Sequence, residues 1–261
     1  MITCGIDVGS LTAEAVIFRD RDLFAYSITP TGPNSAQTAM EALGKALRKT
    51  NVRTEEIDFT IATGYGRVVV PFADRNMSEI SCHARGAHHF FPRARTVLDM
   101  GGQDCKVIRC DEKGKVINFL MNDKCAAGTG RSLEVMANLL QVQLEEIGPL
   151  SLAWNGEPLK ISNTCVVFAK TEVLSLRRQG HPLSQILAGL CDGVAEQVKG
   201  LIRRLGLEEE FVVSGGISKN IGVVQRLEQK LGMKAHICFE PQIVGAVGAA
   251  LFAVDFLQKK K

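Results

Sequence analysis

A strand, an acid and a glycine turn occur together twice in this chain, and each time a second strand pattern follows. The first unit is TCGIDVGSLTAEAVIF, with Asp7 before its turn, and the second is TVLDMGGQDCKVIRC, with Asp99 in the matching position. A third strand pattern follows each unit, DLFAYSI in the first and VINFLMND in the second. This is an internal duplication of a β-meander at the level of pattern, and it predicts an α/β protein with two similar lobes.

The segments around the two units alternate between strand and helix patterns. FTIATGYG and EFVVSGGIS predict strands that end in glycine turns, and KAHICF predicts a short strand. Apolar periodicity predicts helices over residues 36–50, 131–141, 168–179, 183–205 and 221–231, in SCHARGAHHFFP up to its proline, and in IVGAVGAALFAVDFLQ.

Composition excludes several classes of protein. The 261 residues suit one large domain or two small lobes, and 46% hydrophobic content is enough for packed cores. A net charge of +3, with no basic run interleaved with aromatics, does not indicate a nucleic-acid partner. No signal peptide is evident, and we expect no apolar stretch to approach the roughly 18 residues of a membrane span. We therefore expect a cytoplasmic protein with no nucleic-acid or membrane partner.

Eight cysteines are many for such a chain, but none forms a C-x-x-C pair, and the tightest spacing is Cys105 to Cys110. A metal site built from one local segment is therefore disfavoured. Any cluster has to use cysteines that are far apart in sequence or in different chains. Cys82 stands beside His83, and we favour packing over a metal pair there. Six cysteines are predicted to lie in the core: Cys4, Cys82, Cys105, Cys110, Cys191 and Cys238.

The two acid–glycine turns and the later pair Gly215–Gly216 are candidates for a nucleotide site. Glycine lets backbone N–H groups approach phosphate oxygens closely, and an acid beside the turn can hold Mg²⁺ through water. A plain hairpin is the alternative for any single turn. Three such turns in this order, two of them with the paired acids Asp7 and Asp99, favour nucleotide binding.

Four of these motifs resemble those of the superfamily of acetate and sugar kinases, heat-shock ATPases and actin. GIDVGS, DMGGQD, VSGGISKN and GAVGAAL are similar to its phosphate-1, phosphate-2, adenosine and second-connection motifs, and NDKCAAGTG occupies the first-connection position. The resemblance implies two ribonuclease-H-like lobes, residues 1–95 plus 243–261 and residues 96–242, with a cleft between them for ATP and Mg²⁺. It implies nucleotide contacts from Gly9, Ser10, Thr12, Gly101, Gly102, Gln103, Gly215, Gly216 and Asn220.

Further motifs narrow the resemblance to one family. ATGYGR, SEISCHARGA, DMGGQDCKVI, MNDKCAAGTGR and NTCVVFA together resemble the activator ATPase, or component A, of 2-hydroxyacyl-CoA dehydratases, within the BadF/BadG/BcrA/BcrD ATPase family. The match runs nearly from end to end. It implies a homodimer that holds one [4Fe–4S] cluster between its subunits, with Cys125 and Cys165 as ligands. Each of these cysteines precedes a predicted helix, whose free N–H groups favour a thiolate and an anionic cluster. Two cysteines cannot fill four iron corners, and a two-fold partner supplies the other two.

The resemblance also implies a mechanism. Reduced ferredoxin or flavodoxin supplies an electron, ATP changes the conformation of the dimer, and the electron passes to a 2-hydroxyacyl-CoA dehydratase. For hydrolysis we expect Asp7 and Asp99 to organise Mg²⁺ through water, and Gln103 to position the attacking water. The chain departs from the family at Leu11 and Glu14, where Thr and Lys are common. We expect Thr12 to compensate in part for these two changes. It also departs at Lys170, where an acid is usual.

Three other functions are open on the sequence alone. The benzoyl-CoA reductase ATPase subunits share these motifs but belong to a permanent heteromeric complex. A sugar kinase, such as an N-acetylglucosamine kinase, would share the nucleotide site but has no use for paired cysteines at helix starts. A non-enzymatic ATP-binding regulator would show no ATP turnover.

Overall fold

The computed structural model describes residues 1–122, 128–162 and 165–259. Contacts divide the chain into two compact units. The first comprises Met1–Val97, Ile108–Asn118 and Cys238–Lys261, and the second comprises Leu98–Val107 and Phe119–Ile237. The division into lobes at 95/96 and 242/243 stays a prediction.

The described residues form two sheets surrounded by helices. The strands are β1 Ile2–Val8, β2 Thr12–Arg19, β3 Asp22–Pro30, β4 Phe59–Thr63, β5 Arg75–Asn76, β6 Thr96–Met100, β7 Cys105–Cys110, β8 Val116–Asn122 and β9 Phe211–Ser214. The α-helices are α1 Ser35–Leu47, α2 Glu79–Phe90, α3 Gly130–Leu140, α4 Ile147–Leu152, α5 Val166–Arg178, α6 Leu183–Leu205, α7 Ile221–Leu231 and α8 Val244–Lys259. Short 3₁₀ turns lie at Thr54–Glu56, Arg67–Val69, Leu144–Glu146, Gly216–Lys219 and Pro241–Ile243.

The order of the strands supports the duplication that the sequence predicts. The first sheet has the order β3-β2-β1-β4-β5, and the second has the order β8-β7-β6-β9. In each sheet three consecutive strands form a meander. A strand from later in the chain, β4 in the first sheet and β9 in the second, then pairs with the first strand of that meander. Strands β1 and β2 pair antiparallel, and β1 and β4 pair parallel. The ends of β1 and β4 therefore lie side by side, at Asp7 and Thr63.

Each unit has its own apolar core. In the first unit α8 crosses β1 so closely that a Cβ added at Gly5 would lie 2.6 Å from the backbone nitrogen of Ala250. In the second unit residues of β6, β9, α6 and α7 share one buried apolar cluster, with Leu98, Val194 and Val213 among its side chains. Small residues in the closing helix thus allow it to pack directly on a strand.

Most predicted elements are present, and one is wrong. KAHICF does not form a strand, because its pairing is limited to one parallel bridge between His236 and Val212. The chain then turns into the 3₁₀ segment Pro241–Ile243, which leaves no length for a ladder. The patterns did not predict α4 or the two-residue strand β5.

The closing helix also corrects the expectation that no stretch reaches the length of a membrane span. Pro241–Lys259 has 19 residues and is apolar enough to cross a membrane by composition. However, 67% of its most apolar window is buried inside the protein, where the helix packs on β1 and α2. Its apolar character is explained by this packing.

Candidate functional site

The first acid–glycine turn joins β1 to β2. The Gly9 amide donates to the Thr12 carbonyl at 2.9 Å, and the Thr31 hydroxyl donates to the Gly9 carbonyl at 3.0 Å. Gly9, Ser10 and Thr12 are half-buried, so part of each residue remains accessible. This is the geometry of a tight turn whose remaining polar groups can face a ligand.

Asp7, which precedes this turn, is buried and fitted between two glycines of other elements. A Cβ added at Gly64 or at Gly245 would overlap a carboxylate oxygen of Asp7. His83 Nε2 lies 3.8 Å from Asp7 Oδ2, and both side chains are less than a tenth exposed. The motifs ATGYGR, SEISCHARGA and GAVGAAL therefore meet around one carboxylate, and sequence reasoning missed this. The signal in the sequence was that these three motifs each contain a glycine or a histidine, namely Gly64, His83 and Gly245.

The second turn, between β6 and β7, repeats this arrangement in the second unit. The Gly101 amide donates to the Asp104 carbonyl at 3.0 Å. Asp99 is buried, and a Cβ added at Gly215 would lie 2.7 Å from Asp99 Oδ1. Gly102 is half-buried and Gln103 is exposed. Each unit thus presents a buried acid, a glycine packed against that acid and an open turn.

A buried lysine, which sequence reasoning also missed, lies at the second turn. Lys106 Nζ lies 2.5 Å from Asp104 Oδ2 and 3.3 Å from Asp99 Oδ2. All three side chains are about 5% exposed or less. Such a charge cluster persists in a core only when its members are paired.

Gly215, Gly216 and Asn220, the predicted nucleoside contacts, follow β9. Gly215 has a φ of +82° and is buried, whereas Gly216 is exposed. Asn220 caps α7, because its Oδ1 accepts from the Val223 amide at 3.1 Å. Asn220 therefore has a structural function of its own, and its nucleoside contact stays a prediction.

The departures from the family pattern lie in different environments. Glu14 is buried and stands opposite Asp7 in the register of β1 and β2. Leu11 is half-buried in the turn. Lys170 is exposed on α5.

The cysteines differ sharply in accessibility. Cys165 is half-buried, and it is the one partly exposed cysteine among the seven in the described ranges. Burial raises the pKa of the Cys82 thiol to about 12 and that of the Cys191 and Cys238 thiols to about 11. It also raises the pKa of Cys4 and Cys105. These five cysteines and Cys110 are buried, which confirms the prediction that all six are core residues.

Cys125 lies outside the described residues, so its prediction as a ligand is not tested. Cys165 stands immediately before α5, and Val167 and Phe168 in the first turn of that helix are each about two-thirds exposed. Within the described ranges, no group of three or more His, Cys, Asp or Glu side chains could hold a metal ion. The thiol donor at a helix start fits one corner of an iron–sulfur cluster.

A pocket beside Cys165 is too small to contain such a cluster. Its volume is about 30 Å³, and it is lined by residues that include Ser132, Val166, Ala169 and Gly193. This volume accommodates a water molecule or two. The pocket therefore does not provide the space that a cluster held by this thiol would need.

The chain is similar to known activators along its whole length. Residues 4–253 match the model of the BadF/BadG/BcrA/BcrD ATPase family. The activator of lactoyl-CoA dehydratase from Anaerotignum propionicum is 45% identical over 262 residues, which cover 100% of both chains. The structure of the activator of the 2-hydroxyisocaproyl-CoA dehydratase from Clostridium difficile with bound ADPNP matches with a TM-score of 0.95 and 39% identity, over 100% of this chain and 97% of that one. The predicted actin-like α/β fold is confirmed.

One relative bears on an alternative function. A benzoyl-CoA reductase subunit from Thauera aromatica is 31% identical over 262 residues, covering 96% of this chain and 92% of that protein. The similarity is weaker than that to the lactoyl-CoA dehydratase activator over a comparable length.

Proposed function

The chain belongs to the BadF/BadG/BcrA/BcrD ATPase family, and from this premise we propose that it is an ATP-hydrolysing activator of a 2-hydroxyacyl-CoA dehydratase. It would pass a low-potential electron to that enzyme in a step coupled to ATP hydrolysis. The observation that carries the proposal is the 45% identity, over the full length, to an activator of lactoyl-CoA dehydratase. The accessible thiol of Cys165 supports it, because electron transfer requires a redox group near the surface.

In this proposal Asp7 and Asp99 organise Mg²⁺ through water, and the open turns contact the phosphates. Gly9, Ser10 and Thr12 contribute from the first turn, and the glycines of the second turn contribute as well. The packing of each acid against a glycine supports these assignments, since it fixes a buried carboxylate in one orientation. Hard oxygen ligands of this kind suit Mg²⁺, which keeps several of its own waters.

Gln103 is proposed to orient the attacking water. Its side chain is exposed beside the second turn and lies outside the apolar core. A glutamine has this function in other phosphoryl-transfer sites, where it directs water without becoming charged. Gly215, Gly216 and Asn220 are proposed to lie near the nucleoside.

The redox group is proposed to be one [4Fe–4S] cluster, held by Cys125 and Cys165 from each of two subunits. When bound, the cluster supplies the electron that the dehydratase receives. Val167 and Phe168 support a homodimer, because exposed apolar side chains beside a ligand suit a surface that a second subunit covers. The proposed electron donor is ferredoxin or flavodoxin, and the proposed location is the cytoplasm.

Anaerobic iron and sulfide analysis tests the proposal directly. The purified protein should contain about four iron and four sulfide per dimer, with iron–sulfur absorption in the visible range. Cys165→Ser and Cys125→Ser should each lose both. Cys238→Ser is the matched control, because this buried thiol should contribute nothing to ligation. An intact cluster in either of the first two variants would refute the ligand assignment.

The alternative is an ATPase subunit of a benzoyl-CoA reductase-type complex, which the Thauera aromatica relative favours. A chain of that kind would need a second, similar subunit to be stable. Isolation as a homodimer that activates a dehydratase distinguishes the proposed activator from it. Phosphorylation of a sugar by the protein without an iron–sulfur cluster, in the presence of Mg²⁺ and ATP, would instead support a sugar kinase.

A further inference from the structure

The start of helix α3 is held by the backbone of the second turn. The amide of Gly130 donates to the Gly101 carbonyl at 3.0 Å, and the amide of Arg131 donates to the Gly102 carbonyl at 2.8 Å. The first N–H groups of a helix have no partner within the helix and need one elsewhere. Within the described ranges, the side chain of Thr129 at the N-cap makes no capping hydrogen bond to α3. The turn therefore acts as the cap of this helix.

This contact leaves little room for a side chain at the start of the helix. A Cβ added at Gly130 would lie 3.3 Å from the Gly101 carbonyl oxygen and 3.4 Å from Gly102 Cα. These distances are at the short limit of ordinary contacts, so an alanine there would need a small shift of the helix or the turn. Gly128, two residues earlier, has a φ of +74°, which brings the chain into this approach. The glycines of the GTG segment thus serve the contact with the turn.

The second turn is itself held in place by Lys106. The ammonium group contacts Asp104 at 2.5 Å, and the carbonyl of Asp104 accepts from the Gly101 amide at 3.0 Å. The same ammonium group lies 3.3 Å from Asp99. One buried charge is therefore bonded to the acid that precedes the turn and to the residue that closes it. A rotation of the turn therefore has to move Lys106 together with both carboxylates, or break one of its two ion pairs.

We propose that Lys106 is a positioning residue that couples the second turn to helix α3, so that the start of the helix responds to whether the turn binds ATP or ADP. The inference rests on the proposed nucleotide site, which gives the turn a ligand to respond to. In sequence, α3 begins 130 − 125 = 5 residues after Cys125. A nucleotide shifts the position of the helix only insofar as it binds the two positions of the turn with different affinity.

Amide hydrogen exchange tests this proposal without a cluster. The wild type and Lys106→Met are compared in the absence of nucleotide, with ADP and with ADPNP, at the amides of Gly130 and Arg131. In the wild type these amides should be protected, and their exchange should differ between ADP and ADPNP. In Lys106→Met we expect exchange about tenfold faster or more, and no difference between the nucleotides.

Lys230→Met is the matched control. Lys230 also pairs with two carboxylates of the second unit, Asp192 at 2.9 Å and Glu196 at 3.1 Å, but it lies on α7. Its loss should leave the exchange at Gly130 and Arg131 as in the wild type. If Lys106→Met does not fold, Lys106→Met combined with Asp104→Asn removes one charge of each sign, and the same fast exchange is expected.

Each outcome decides the proposal. Equal exchange in the wild type and the Lys106 variants overturns it, as does a wild type that binds both nucleotides with no difference at these amides. An equal effect of Lys230→Met also overturns it, since the change would then reflect lost stability alone. If the wild type binds neither nucleotide, the proposed function and the coupling both fail, whereas a failure of the coupling alone leaves nucleotide binding intact.

Discussion

Replacing Gly245 by alanine should impair ATP hydrolysis far more than it impairs folding. Gly245 lies in the first turn of α8, where an added Cβ would overlap Asp7 Oδ2 and lie 2.9 Å from His83 Nε2. Ordinary contacts begin near 3.4 Å. The Asp7 carboxylate therefore has to retreat by about 1.4 Å or rotate away, and a misplacement of about 1 Å can already reduce a rate about 100-fold.

The expected loss of stability is much too small to explain such a rate. Alanine is favoured over glycine in a helix by up to about 1 kcal/mol, and overpacking a core costs about 1–3 kcal/mol. The net cost is then at most about 3 kcal/mol, against a typical free energy of unfolding of about 5–15 kcal/mol. More than about 95% of the variant stays folded, whereas a 100-fold fall in kcat corresponds to about 2.7 kcal/mol of lost transition-state stabilisation.

The assay is ATP turnover at saturating Mg²⁺ and ATP, measured beside thermal unfolding by circular dichroism. Gly200→Ala is the matched control, because Gly200 lies in α6 with nothing within 4 Å of an added Cβ. It should stabilise the protein by up to about 1 kcal/mol and leave kcat unchanged. A Gly245→Ala variant with kcat within about twofold of the wild type would refute the role given to Asp7 and its packing.

Three further results are expected. Iodoacetamide at pH 8 should label Cys165 of the cluster-free protein first among the described cysteines. Cys82 and Cys191 should react only on unfolding, because burial raises their pKa to about 12 and about 11. Early labelling of Cys82, detected by peptide mass analysis, would contradict this. Asn220→Ala should lower the free energy of unfolding by about 1 kcal/mol through the lost cap of α7, and an unchanged denaturation midpoint would argue against the cap. Lys170→Glu should change stability by less than about 0.5 kcal/mol, because the side chain is exposed, but should alter the salt dependence of dehydratase activation if α5 meets the partner.

Some features of the fold follow from short-range pattern and were therefore predictable. Alternating apolar residues and glycine turns predicted β1, β2 and β3, and the recurrence of that pattern predicted a second meander, which the strand orders bear out. Long helices such as α6 and α7 have their predicted bounds, because their apolar periodicity runs over several turns. The error at KAHICF has a physical reason as well, since pairing depends on a neighbour that a local pattern does not contain.

The sequence by itself determined the types of most elements, the duplication, the family motifs and the separation of core cysteines from candidate ligands. Only the tertiary structure decided which groups meet. Gly64, His83 and Gly245 come from distant segments yet surround one carboxylate, and Lys106 joins the two acids of the second turn. The reason is that burial and charge pairing depend on distances in space, and these are set by how strands and helices pack rather than by spacing along the chain.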